Sequence, residues 1–113
     1  MRPVMLMILS GALIAGSIVP AAAQDPKVAA GEKLYAAQKC SMCHLVAGKG
    51  NKKNPLDGAG TRLDAAMVKL WLTDPKAAEA KGGKEPSKPA MKSFASLPAA
   101  DIDALTVYVL SLK

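Results

Sequence analysis

Apolar positions are distributed along this chain in two distinct ways. From Val4 to Val19 they run almost unbroken, whereas beyond residue 24 they return at the three-to-four-residue spacing of helices with one buried face. Asp25-Pro26 opens the first predicted helix, the aspartate accepting backbone N–H groups and the proline losing nothing at the first helical position. It runs to about Gln38, with Val28, Gly31, Leu34 and Tyr35 on one face. Asp64 opens a second, whose stripe of Leu63, Met67, Leu70 and Trp71 ends at Asp74-Pro75. Pro98 starts a third, with Asp101 in its first turn and Ile102, Leu105, Tyr108, Val109 and Leu112 facing inward. No repeat and no alternating strand pattern is visible, so the expected class is all-α.

The early apolar run has its own reading. Arg2, the run itself, Pro20 and the small residues Ala21-Ala22-Ala23 reproduce the charge, apolar core and cleavage site of a secretory signal. Residues 1–23 are therefore expected to be cleaved, leaving one domain over 24–113; the competing reading is a retained membrane anchor.

Removing that leader leaves 90 residues, a size at which folding hides only about 60–65% of the unfolded surface. The aromatic complement is thin: Tyr35, Trp71, Phe94 and Tyr108. Two stretches rich in Gly, Pro and Lys, 46–62 and 76–96, separate the helices. Irregular stretches of that length are unusual in so small a domain unless a ligand organises them. Three short helices around a missing centre point to a bound cofactor.

Composition adds charge. The whole chain carries +6; fourteen of its fifteen basic residues and all nine acidic ones lie beyond the leader, leaving +5 there. Lysines spread along the chain suit a solvated surface or docking to an acidic partner. Nucleic acid is a poor fit, since no basic stretch is interleaved with aromatics.

The chemistry is concentrated in "KCSMCH", residues 39–44, which holds both cysteines and the single histidine. Cys40, Cys43 and His44 form a CxxCH sequence, the attachment signature of c-type haem. Two sulfurs add to the two porphyrin vinyl groups, and the adjacent imidazole is carried beneath the ring to coordinate iron. A thioredoxin-like dithiol requires the pair at a helix start after a strand, whereas here it follows a helical segment. A structural zinc site requires four protein ligands, and the chain has no further Cys or His. A Cys40–Cys43 disulfide would close a very small loop and stabilise little.

With His44 on one side of the iron, a second histidine is excluded by composition and methionine is the usual alternative. Met42 lies inside the attachment loop and cannot reach the opposite face. Met67 falls on the apolar stripe of the second helix, where core filling accounts for it. Met91 sits in "SKPAMKSF", a polar, proline-stiffened segment with no helical face to bury a thioether, and is the expected sixth ligand.

Taken in order, "AAGEKLYAAQKCSMCH", "NPLDGAGTRL", "WLTDP", "PAMKSF" and "LPAADIDALTVYVLSLK" make residues 24–113 resemble the class I monohaem c-type cytochromes. The resemblance implies a cytochrome c-like fold, three main helices and long loops wrapped around one covalently bound haem. It implies that the terminal helices cross, with Gly31 and Tyr35 against Leu105 and Tyr108. It also implies that Pro55 offers its carbonyl to the His44 Nδ1–H, that Leu56 packs on the ring, that Arg62 pairs with a haem propionate, and that Trp71 lies on the methionine side. The chain departs from the pattern at Leu97-Pro98, where relatives carry a hydroxyl cap, leaving Ser96 as the substitute.

The function so implied is a periplasmic one-electron carrier with one haem c per chain, joined through Cys40 and Cys43 and ligated by His44 and Met91. It is an electron-transfer protein rather than an enzyme, without stable membrane insertion once the signal is cut. Its partners are redox proteins with acidic surfaces, met by Lys49, Lys52, Lys53, Lys88 and Lys92. The alternative is a cytochrome subunit of a periplasmic dehydrogenase or oxidase complex.

Overall fold

Asp25 does what an N-cap requires: its carboxylate accepts the Lys27 backbone N–H at 2.9 Å, and helix α1 follows over Pro26–Ala37. The computed structural model describes residues 25–82 and 89–113; the expected leader 1–23, together with Lys84 and Lys88, lies outside the described residues. After α1 the chain turns at Lys39, which takes a left-handed φ of 57°, into a 3-10 turn over Cys40–Met42. A two-residue antiparallel ribbon follows, β1 (Leu45–Val46) against β2 (Lys49–Gly50), with Leu45 opposite Gly50 and Val46 opposite Lys49. Then come the short α2 (Ala59–Arg62), α3 (Ala65–Thr73), α4 (Pro75–Gly82) and α5 (Ala99–Leu110). The all-α reading holds, with five helices among the described residues where three main ones were expected. None of the described helices is long and apolar enough to cross a membrane.

Helix α5 is the hub, packing against α1, α2 and α3. It buries Ile102, Leu105, Tyr108 and Val109 as its spacing implied, and in addition Ala104 and Thr106, whose hydroxyl donates to the Ile102 carbonyl at 2.7 Å. Being covered from more than one side explains the extra burial: one apolar stripe does not suffice for a helix with neighbours on several faces.

The α1–α5 crossing is close enough to exclude a side chain. A Cβ at position 31 would collide with the Ala104 carbonyl oxygen and the Tyr108 Cβ. Four residues on, Tyr35 meets Tyr108 with ring centroids 5.5 Å apart and planes tilted by 59°, a favourable aromatic geometry.

Three expectations are corrected. Residues 76–82, expected to be irregular, belong to α4, because Asp74-Pro75 starts a helix as well as ending one. The Asp74 carboxylate accepts the Ala77 N–H at 3.2 Å and its carbonyl accepts the Ala78 N–H at 3.1 Å. The buried positions of α3 are Val68 and Leu72, while Leu63, Met67, Leu70 and Trp71 are half-buried. The expected stripe is rotated by about one residue, since α3 is flanked by α4 as well as α5. Ser96 does not cap α5: Pro98 holds the N-cap position without a side-chain bond, and its carbonyl takes the Asp101 N–H at 2.9 Å.

Replacing Gly31 with Ala is expected to destabilise the fold by about 1–3 kcal/mol through overpacking, even though alanine gains up to ~1 kcal/mol of helix propensity. Urea unfolding checks this; a midpoint equal to or above the parent's would mean that the crossing does not depend on a bare backbone.

Candidate functional site

The ends of the elements meet around a cavity of about 840 Å³, within the range of roughly 300–1,000 Å³ typical of small-molecule and cofactor sites. Cys40, Cys43, His44, Pro55, Leu56, Arg62, Trp71 and Met91 all line it. They arrive from the 3-10 turn, the loop after β2, α2, α3 and the segment before α5, so no single element carries the site. Of the other two methionines among the described residues, Met42 lines the cavity and is 69% exposed, whereas Met67 is not part of the lining.

Local hydrogen bonds hold the histidine. The Cys43 and His44 backbone N–H groups both donate to the Cys40 carbonyl, at 3.1 and 2.9 Å, curling the attachment loop tightly. The His44 ring places Nδ1 3.0 Å from the carbonyl oxygen of Asn54. A carbonyl only accepts, so Nδ1 carries the proton and Nε2 keeps its lone pair. This corrects the expected acceptor, Pro55: the carbonyl that faces the ring belongs to the residue before it. The reason is the strand-like pairing of Leu45 with Pro55, in which Leu45 donates to the Asn54 carbonyl at 3.2 Å and Leu56 donates to the Leu45 carbonyl at 2.8 Å. Asn54 thus uses one oxygen to hold both the backbone and the imidazole. Pro55 and Leu56 remain in the cavity wall.

The thiols differ. Cys40 is half-buried, and burial pushes its pKa up, the opposite of what an activated redox thiol needs. Cys43 is exposed, and neither cysteine is in a disulfide. Among the described residues, no group of three or more His, Cys, Asp or Glu side chains could hold a metal ion.

Arg62 is exposed at the cavity, and its Nη2 donates to the Asp57 carbonyl at 3.4 Å. That long single bond leaves most of its five donors for an anionic group. Trp71 and Leu72 bring α3 to the wall, and Met91 reaches it half-buried from the opposite segment. Lys39, Lys53 and Lys92 belong to the lining too, with the Lys92 ammonium 5.6 Å from the centre of the Phe94 ring.

Several contributors were not expected from sequence. Tyr35, Ala59, Val68, Leu105 and Val109 are core residues that also line the cavity; helical spacing names Tyr35, Leu105 and Val109 only as core and does not single out Ala59 or Val68. The Tyr35 hydroxyl is buried without a hydrogen-bond partner, and nothing short of the tertiary structure signals that. Asn54 left no sequence signal, because the group it uses is backbone.

Two sulfurs in the attachment spacing, an imidazole with its tautomer held, a thioether and a spare guanidinium around one largely apolar cavity fit an iron porphyrin carrying carboxylates. The comparisons point the same way: a family model described as Cytochrome c matches residues 28–113. No curated protein and no solved structure matches the chain.

Burial holds Tyr35 in its neutral form, raising its pKa to about 12, with Cys40, Tyr108 and Asp57 adding to the effect; Tyr108 is raised as well, first by burial. Both phenols bind their protons more tightly folded than unfolded. Their contribution to stability is complete below pH ~10 and is lost as the pH rises from there through the folded values. In ring-labelled protein, NMR titration is expected to show neither tyrosine ionising with a pKa near 10. Ionisation of Tyr35 at its ordinary value would contradict the packing around it.

Proposed function

The chain belongs to the cytochrome c family, and from that premise we propose that it is a periplasmic one-electron carrier with a single haem c held through Cys40 and Cys43. Family membership carries covalent haem and electron transfer; the ligands, the location and the partners are the proposal. The observation that supports it is the convergence of Cys40, Cys43, His44 and Met91 on one cavity, with His44 Nδ1 held by the Asn54 carbonyl.

The roles follow from the atoms. When bound, the haem supplies one reversible electron at its iron. Cys40 and Cys43 would tether the ring, and the exposure of Cys43 suits a tethered edge within reach of a partner. His44 offers Nε2, and the Asn54 carbonyl keeps the ring oriented for coordination. Met91 offers a soft thioether, which favours the reduced state and raises the potential. Leu56, Leu63, Val68 and Leu105 keep water from the interior and so disfavour the more charged oxidised state. Arg62 is suited to pair with a propionate. With His44 and Met91 both engaged, no coordination position is left for a substrate, which suits a carrier rather than a catalyst.

Export rests on the leader: residues 1–23 are removed and the domain of 24–113 folds outside the cytoplasm. Lys39, Lys53 and Lys92 at the cavity, with exposed Lys49 and Lys52 on and beside the ribbon, suit an acidic redox partner.

Haem staining after denaturing electrophoresis is expected to mark the exported protein and to fail for Cys40→Ala, and mass spectrometry is expected to find a chain beginning at Gln24. Met91→Ala is expected to abolish the sulfur-to-iron absorption band and lower the potential. A band that survives this substitution would transfer the ligand role elsewhere. The bimolecular rate with an acidic partner protein is expected to fall by roughly tenfold or more as salt screens the lysines; a rate indifferent to salt would remove the docking reading.

A further inference from the structure

The segment that carries Met91 is held by the end of α3. That helix stops at Thr73, and because Pro75 has no N–H the helical bonding cannot continue past it. Of the last carbonyls, that of Leu70 takes the Asp74 N–H at 2.7 Å. The next ones would be orphaned, as at any helix end. Instead, the Leu72 carbonyl accepts the Phe94 N–H at 2.7 Å and the Thr73 carbonyl accepts the Ser93 hydroxyl at 2.8 Å. The Ser93 oxygen also accepts the Ala95 N–H at 3.3 Å, so the hydroxyl donates and accepts at once and its rotamer is defined.

Packing shares this attachment only in part, through buried Phe94 and through Met91 resting half-buried against the core. Phe94 is buried, but Ser93 is exposed and Met91 only half-buried. Beside Met91 lies a second cavity of about 350 Å³, lined by Thr73, Pro75, Ala90, Met91 and Ser93 among others. With open space on that side, the thioether's place depends on where residues 93 and 94 are tied.

We propose that Ser93 is a positioning residue for Met91: its hydroxyl, bound to the Thr73 carbonyl at the end of α3, holds the thioether at the cavity wall and disfavours its replacement by an outside ligand. The inference rests on Met91 being the sixth ligand, and it couples that ligand to α3, which also supplies Val68, Trp71 and Leu72 to the same wall.

The test uses oxidised holoprotein and imidazole as the competing ligand, followed by the sulfur-to-iron band and the Soret shift, with urea unfolding measured in parallel. Ser93→Ala is expected to retain the band in buffer yet bind imidazole roughly threefold to tenfold more tightly, the weight of one such hydrogen bond. Ser93→Thr, which keeps a hydroxyl, is expected to bind as the parent does. Thr61→Val removes a bond of the same kind, from the Thr61 hydroxyl to the Gly58 carbonyl at 2.7 Å, at a position outside the cavity lining, and is expected to leave imidazole affinity unchanged. Parent-like affinity in Ser93→Ala would overturn the proposal, as would an equal increase in Thr61→Val, which would mean general loosening. Met91→Ala separates the two levels: if it binds imidazole no more tightly than the parent and keeps the band, the ligand reading itself fails and the positioning role falls with it.

Discussion

Bare backbone at Gly31 is the contact on which the rest of the molecule depends. It lets α1 settle onto the Ala104 carbonyl and the Tyr108 Cβ. That seating sets the direction of α1, and the direction of α1 sets where its last turn delivers Cys40. The other side of the crossing does equivalent work, since Leu105 and Val109 of α5 form part of the cavity wall. A second close approach supports the far end of α5. A Cβ at Gly60 would strike the Leu110 carbonyl, and the Gly60 N–H donates to the Leu112 carbonyl at 2.8 Å, which draws fully buried Ala59 and the rest of α2 against the hub.

A consequence of this geometry is that the core and the cavity wall are largely the same residues. Tyr35, Ala59, Val68, Leu72, Phe94, Leu105 and Val109 all serve in both. For a domain this small there is little other apolar material with which to build a separate core. Stability and retention of the cofactor are therefore not independent properties: a group that binds the folded form adds its binding free energy to folding. Helix termini do much of the remaining positioning. Asp25, Asp64 and Asp74 each accept a backbone N–H at a helix start, and the carbonyls left over at the end of α3 anchor residues 93 and 94.

The starts of α1, α3 and α5 are legible along the chain, since an aspartate acceptor, or a proline without an N–H, acts within one turn and needs no distant partner. The sequence by itself also determined the inward residues of α5 and the small residue at 31. The covalent haem of the family is legible too, because CxxCH spacing and a single histidine beside it are local or countable facts. The remaining features depend on chain segments far apart in sequence. The carbonyl facing His44 is that of Asn54 and not of Pro55, because pairing between Leu45 and Pro55 sets the register. The buried face of α3 centres on Val68 and Leu72 because α4 and α5 both press on it, and α4 itself is hidden along the chain because one Asp-Pro pair both ends α3 and starts the next helix. Backbone groups carry no residue identity, and a helix face is chosen by its neighbours; for both reasons the acceptor and the rotation of α3 could be settled only by the assembled fold.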